Sequence, residues 1–324
     1  MHALIGRMSC WLELKASGMA RGSRQGMILS ITLDPTMRLA YLGPAGTYGE
    51  QAARRLAGLE GMEAELAPQQ GIRAVIQALA TGSCDAAVVP VENSVEGGVS
   101  TCLDALWEHP ELAVTRALVL PIRHALLGSG PLEGISEVLS HPQALAQCGL
   151  WLGAHLPTAL QLPTSSTAEA ARLVKGSRFR AAIASREAAR DHGLEVLAYP
   201  INDVPGNCTR FLLLRRSQRE ETGPLASLAF SLRSNQPGAL LQSLVCFAAH
   251  GLNMSRIESR PSKREMGEYI FFVDLMLPAE GAEPLRLALD QLRPLCEHLA
   301  LFGTYPLDTQ SPEDEAGGAD PLTP

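Results

Sequence analysis

Residues 136–163 read SEVLSHPQALAQCGLWLGAHLPTALQLP. SEVLS is a short strand, HPQALAQCGLWLGAHL a helix with Pro142 in its first turn, where proline is tolerated, and ALQLP a second strand. TSSTAEAARLVKG (164–176) follows as a helix opened by Ser166 and Glu169 in capping-box spacing. AAIAS with REAARDHG, then LEVLAYPIND, continue the alternation up to RFLLLRR, a buried strand at 210–216. The same pattern runs in the other direction. RLAYLG (38–43) is a strand, and Thr47 and Glu50 open a helix over YGEQAARRLAGL. GIRAVIQALATG is a helix with apolar Ile72, Val75, Ile76 and Leu79. AAVVPVE is a buried strand ended by NSVEGG, VSTCLDALWEH a helix, and ELAVTRALVLP and IRHALLG strands. Strands alternating with helices predict an α/β fold with largely parallel sheets, and its two similar halves predict two lobes with a cleft between them.

At SQREETGP (217–224) the pattern changes, which marks a linker. Beyond it SLAFSLRS is a strand, GALLQSLVCFAAHG a helix, NMSRIESRP and GEYIFFVDLML strands, AEPLRLALDQLRPLCEHL a helix and ALFGTYP a strand. This βαββαβ order over 225–306 is the ferredoxin-like arrangement. Residues 1–37 read as a disordered extension with alternative starts at Met27 and Met37, and the acidic, Pro- and Gly-rich residues 307–324 as a disordered tail.

Of the 324 residues, 46% are apolar, enough for a full core, and the net charge of −7 argues against nucleic acid as a partner. The seven cysteines form no CxxC pair and the histidines are scattered, so the chain reads as a cytoplasmic protein with free thiols and no bound metal. No apolar run reaches the ~20 residues of a membrane span. No GxSxG or Walker loop is present either, which removes the serine-hydrolase and nucleotide-binding readings.

GNCTRF (206–211) poses the chemical question, because it sets Thr209, Arg210 and Phe211 where a strand emerges from a loop. Taken alone, Thr209 is a good strand former, Arg210 an ion-pairing residue and Phe211 core packing. Asn93 reads equally as an Asx-turn, Ser140 as a helix N-cap and Gln147 as solvent-facing, while Thr47, Ser165, Ser166 and Thr167 stand at helix starts.

GPAGTYGEQAA (43–53), VPVENSVEGGV (89–99), SHPQALAQC (140–148), TSSTAEAA (164–171) and NCTRF (207–211), in this order, together resemble the prephenate dehydratase family. The last ~80 residues resemble an ACT domain, a ferredoxin-like regulatory module. Thr164 stands where several relatives carry an acidic residue. The resemblance implies a two-lobed catalytic domain over 38–216, similar to type II periplasmic binding proteins. It also implies decarboxylating dehydration of prephenate to phenylpyruvate without cofactor or metal, phenylalanine as effector, and homodimers or homotetramers. By the same resemblance Thr209, Arg210, Asn93, Ser140 and Gln147 are expected to be catalytic, with Thr209 at the leaving hydroxyl and Arg210 clamping a carboxylate. Thr47, Ser94, Gly98, His141, Ser165, Ser166, Thr167 and Phe211 are expected around the substrate. Gly238, Ala239, Leu240 and Leu241 (GALL), with Glu258, Ser259, Arg260 and Pro261 (ESRP), are expected to hold the effector. The rival readings are an arogenate dehydratase and a non-catalytic amino-acid sensor on the same scaffold. A fused chorismate mutase domain does not fit into residues 1–37.

Overall fold

The computed structural model describes residues 37–216, 223–279 and 281–310. The expected N-terminal extension up to residue 36, most of the linker and the acidic tail from residue 311 lie outside the described residues.

The first lobe contains β1 (Met37–Leu42), α1 (Tyr48–Leu59), β2 (Ala64–Gln69), α2 (Ile72–Ala80), β3 (Ala86–Asn93), β4 (Gly97–Gly98), α3 (Ser100–Glu108) and β5 (Ala113–Pro121). The second contains β6 (Ala125–Gly128), β7 (Glu137–Ser140), α4 (Pro142–Gln147), α5 (Gly149–His155), β8 (Leu160–Pro163), α6 (Thr167–Val174), β9 (Arg180–Ala184), α7 (Arg186–His192) and β10 (Glu195–Ala198). The chain then returns to the first lobe through β11 (Cys208–Arg215). A C-terminal domain follows: β12 (Leu225–Leu232), α8 (Ala239–Ala249), β13 (Asn253–Pro261), β14 (Tyr269–Met276), α9 (Glu283–Leu292) and β15 (Cys296–Tyr305), with β16 (Leu307–Thr309) after it.

The first lobe's sheet runs β16-β5-β11-β3-β1-β2 with β4 on β3, and the second lobe's runs β10-β6-β9-β7-β8. Both are mixed rather than largely parallel. The helix-linked strands β1, β2 and β3 pair parallel, as do β7, β8 and β9, but β11 lies antiparallel to β3 and β5, and β6 antiparallel to β9 and β10. Strands β6 and β11 are where the chain crosses between lobes with no crossover helix, so their direction reverses. The C-terminal sheet, β13-β14-β12-β15, is antiparallel throughout and matches the expected βαββαβ order.

Three local expectations change. Residues 64–69 form β2, a strand not among those expected from the sequence; it carries Pro68, and as an edge strand it tolerates the missing N–H. The helix expected over 141–156 breaks at Cys148, because the Asp203 carboxylate accepts from Leu150 N and Trp151 N and starts a new helix there. The residues after 306 do not all follow the tail composition: Leu307–Thr309 pair parallel with Ala117–Val119 of β5.

The core crosses the domain boundary. Val91, Leu103, Val114, Leu212 and Leu214 of the first lobe share one buried cluster with Ala229, Phe272, Phe302 and Tyr305 of the C-terminal domain. Phe211 and Leu213 point the other way, into a cluster with Leu39, Tyr41 and Leu56. Strand β11 is thus buried on both faces, with odd residues toward α1 and even residues toward the C-terminal domain.

Candidate active site

The two lobes enclose a cavity of about 430 Å³. The first lobe contributes Thr47, Tyr48 and Gly49 at the start of α1, Asn93 at the end of β3, and Thr209 and Phe211 from β11. The second contributes His141, Gln143 and Gln147 around α4, and Ser165, Ser166 and Thr167 at the start of α6. Both long helices open there with side-chain caps: Thr47 Oγ1 accepts from Glu50 N (3.3 Å) and Ser166 Oγ from Glu169 N (3.0 Å). Their first-turn N–H groups favour an anion in the cleft.

Thr209 and Asn93 are cross-strand neighbours, and a chain of buried amides links them to the second lobe. Asn93 Oδ1 accepts from Val95 N (3.0 Å) and Glu96 N (3.1 Å), so Asn93 does make the Asx-turn. Those backbone donors fix the amide's orientation and leave Nδ2 to donate to Asn207 Oδ1 (2.8 Å) and Thr209 Oγ1 (2.9 Å), with the Cys208 carbonyl also in reach (3.1 Å). Asn207 Nδ2 then donates to Gln147 Oε1 (2.9 Å), and Gln147 Nε2 to Glu96 Oε1 (3.3 Å). The Thr209 hydroxyl therefore receives a hydrogen bond and keeps its own proton. Among the described residues nothing accepts that proton, which is free for a ligand in the cleft.

The lining residues include no Lys, Arg, Asp or Glu. Burial lowers the His141 imidazole and holds that of His124, which also lines the cavity, down at about 4, against the opposing hydrogen bond to Gln147. Both rings are neutral at neutral pH. An anion here meets hydroxyls, amides and N–H groups rather than fixed cations. Among the described residues no group of three or more His, Cys, Asp or Glu is placed to hold a metal.

Nine of the thirteen expected catalytic and substrate-contacting residues line the cavity: Thr209, Asn93, Gln147, Thr47, His141, Ser165, Ser166, Thr167 and Phe211. Four do not. Arg210, expected as a carboxylate clamp, faces the opposite side of β11, where it pairs with Asp274 of β14 and with Glu92 (3.0 Å). Strand alternation forces this once Thr209 faces the cleft. Burial disfavours the guanidinium charge, but Asp274 outweighs it, with Tyr305 and Glu92, and raises the Arg210 pKa. Ser140 is fully buried as the last residue of β7 and donates to Ile183 O (2.6 Å), so His141 is the N-cap instead, with Nδ1 accepting from Gln143 N (3.3 Å). Ser94 Oγ accepts from Cys208 N (3.0 Å) and ties the turn after β3 to β11. Gly98 pairs with Glu92 in β4, and a Cβ there would lie 1.8 Å from the Glu258 carboxylate.

The eight expected effector residues all lie in the C-terminal domain but not on one face. Gly238, with φ +85°, caps α8 ahead of Ala239, Leu240 packs on the helix-side core and Leu241 is exposed. Glu258 pairs with Arg256 (2.5 Å), and Arg260 with Asp104 of α3 (3.0 Å), both toward the first lobe, while Ser259 and Pro261 alternate away. Sequence reasoning missed Tyr48, Gln143 and His124 in the cleft. Tyr48 follows a helix cap directly, and His124 is a polar residue set within the apolar run VLPIRHALLG, the signal that could have flagged it.

The family described as prephenate dehydratase matches residues 39–219. The chain belongs to the prephenate dehydratase family. Prephenate dehydratase of Amycolatopsis methanolica is 40% identical over 277 residues, spanning 83% of this chain and 88% of that one. The Lactococcus lactis subsp. lactis enzyme is 38% identical over 275 residues, spanning 83% and 97%. Among solved structures, the prephenate dehydratase of Arthrobacter aurescens in complex with L-Phe is 35% identical with a TM-score of 0.75, covering 83% of this chain and 90% of that one. The family match ends near the C-terminal domain boundary, so the cavity lies wholly within the prephenate dehydratase part.

Proposed function

We propose that this chain converts prephenate to phenylpyruvate in the interlobe cavity, with Thr209 at the leaving hydroxyl. The single observation that carries the site assignment is the cavity-lining Thr209 hydroxyl, whose oxygen accepts from Asn93 Nδ2 (2.9 Å) and makes no hydrogen bond to an acceptor among the described residues. Prephenate loses its ring carboxylate as CO2, and the electron pair of that C–C bond enters the ring. The ring C–O bond breaks with its own pair, and the departing oxygen takes a proton to leave as water. Thr209 donates at that oxygen, and solvent restores the one proton consumed. Aromatisation supplies the driving force, so the protein's task is to position the dianion and to assist the leaving group. The N–H groups at the starts of α1 and α6 receive the carboxylates. A lining without Asp or Glu favours the keto acid over arogenate, whose ammonium group has no carboxylate to meet.

The C-terminal domain is assigned as an ACT-type regulatory module that takes phenylalanine, supported by its βαββαβ order and by the L-Phe complex of the Arthrobacter relative. Exposed Leu241, Val245, Ile257 and Tyr269 on that domain support self-association into a homodimer or homotetramer. Six free cysteines among the described residues support a reducing, cytoplasmic setting.

The test is a side-by-side assay of purified protein on prephenate and arogenate, with and without phenylalanine. Phenylpyruvate formed from prephenate, at a rate that phenylalanine changes, is the expected result. Phenylalanine formed from arogenate at the higher kcat/KM would replace the substrate assignment, and no turnover of either would leave the sensor reading.

A further inference from the structure

One buried titratable group in the cleft has no role in the reaction described above. His124 lies in the short turn between β5 and β6, only 3% exposed, and lines the cavity. Its backbone is fixed on both sides: His124 N donates to Asn202 Oδ1 (2.7 Å) and its carbonyl accepts from Ile201 N (2.9 Å). The ring lies edge-on to Tyr48, with centroids 5.8 Å apart, and Tyr48 in turn donates to the neighbouring Arg123 carbonyl (2.7 Å). Ring Nε2 stands 3.3 Å from Gln147 Oε1, while Nδ1 has no hydrogen-bond partner among the described residues.

The polarity of this contact is set from the far end of the amide chain. Backbone N–H groups orient Asn93, which makes Asn207 Oδ1 an acceptor and Asn207 Nδ2 the donor to Gln147 Oε1. Gln147 Oε1 can only accept, so the hydrogen must sit on His124 Nε2 and Nδ1 carries a bare lone pair. A flipped Gln147 amide would set donor against donor at Asn207 and acceptor against acceptor at the Glu96 carboxylate. The imidazole is thus the terminal donor of a directed chain that runs along the cleft wall to the Thr209 hydroxyl.

We propose that His124 is a positioning residue of the dehydratase reaction: as a neutral Nε2–H tautomer it holds the Gln147 amide across the lobes, so that the Asn207–Asn93–Thr209 chain presents the Thr209 proton to the substrate. This rests on the assignment of Thr209 to the leaving hydroxyl. Removing the Nε2 donor leaves Gln147 Oε1 with Asn207 alone and loosens the join between the second lobe and β11. The effect falls on the chemical step rather than on substrate capture, since His124 meets the start of α1 only through the Tyr48 ring and makes no hydrogen bond to the N–H groups that face the anion.

The test uses full-length His124→Gln, which keeps a donor at the reach of Nε2, and His124→Asn, whose donor stops short near Nδ1. His124→Phe, which keeps a ring without a donor, is the third variant. For Asn and Phe the expected result is a kcat on prephenate about tenfold or more below wild type with KM changed less than about twofold, and for Gln a kcat within about threefold of wild type. Combining His124→Asn with Gln147→Leu should add little to the slower single variant, as for residues acting through one contact. If Asn and Gln are equally slow, if KM carries the change, or if the two substitutions multiply, His124 merely packs the wall and the proposal falls. Should the Phe variant fail to fold, the Asn and Gln pair decides alone. Wild type and Thr209→Val run in the same assay separate this outcome from failure of the reaction assignment, which would show as an inactive wild type or a fully active Thr209→Val.

Discussion

Thr209 and Arg210 are adjacent in sequence and face opposite sides of β11, and the two polar clusters around them are built differently. The front cluster (Thr209, Asn93, Asn207, Gln147 and neutral His124) is built of uncharged side chains, with the Glu96 carboxylate only at its outer end, and its order comes from hydrogen-bond direction anchored in backbone N–H groups. The back cluster joins Arg210, Glu92, Asp274, Arg256 and Glu258 at the seam between the first lobe and the C-terminal domain, with Ser227 and Tyr305 hydrogen-bonded into it. Its order comes from charge. A directed neutral chain places one proton without pulling an anionic substrate out of line, whereas an ion cluster fixes two domains against each other but would hold a substrate carboxylate wherever the cation stood. The front should therefore govern rate and the back stability.

The largest expected effect breaks this contrast if it fails. Thr209→Val keeps a β-branched side chain, so the Tm should stay near wild type while turnover drops about 10²–10⁴-fold, measured as phenylpyruvate release. Near-normal turnover would remove the front face's role. On the back face, Arg210→Met should cost about 3–5 kcal/mol in denaturant unfolding, since it takes the short partner from buried Asp274 and leaves it only the longer pairing with Arg256 (3.7 Å). A larger loss of kcat than of stability would return Arg210 to catalysis.

Acid sharpens the comparison. The His124 pKa is about 4 in the folded protein against an ordinary value of 6.5. The unfolded chain therefore binds the proton first, and stability is full above pH 6.5 and falls as the pH drops toward about 4. The loss attributable to this ring is about 3 kcal/mol, and His124→Gln should flatten the curve in urea titrations over that range. An unchanged curve would mean that the ring is not held neutral by burial. The smallest effect is expected for Lys263→Ala, whose half-exposed ammonium pairs with Asp104 across the seam. It should change stability by less than about 1 kcal/mol and leave kcat alone.

Much of this was legible in the sequence. The βα alternation and the later βαββαβ order follow from apolar periodicity, and the helix caps at Thr47 and Ser166 from local side chains. What escaped depended on distant partners. The break at Cys148 needs Asp203, and Arg210 finds Asp274 in another domain, 64 residues away. The direction of Arg210 was nevertheless implicit, because strand period two cannot send it and Thr209 into the same cleft. Ser140 was displaced as a cap by one residue because β7 runs through it. The amide chain was invisible because Asn207 and Gln147 meet only when the lobes come together.

After β15 the chain runs on through Pro306 alongside β5 and adds β16 to the first lobe's sheet, while Gly223, at the start of the C-terminal domain, lies so close that a Cβ would stand 2.0 Å from the Tyr305 carbonyl carbon. The ingoing and outgoing backbones form a two-stranded neck. A single tether permits swinging through a wide cone, but a paired one behaves like a stiff stem, along which rotation passes as torque into β5 and its neighbour β11. Any wide excursion of the module would first have to unzip the three-residue β16 ladder and bare the rim of β5, so amide exchange at Ala117–Val119 reads out that motion directly.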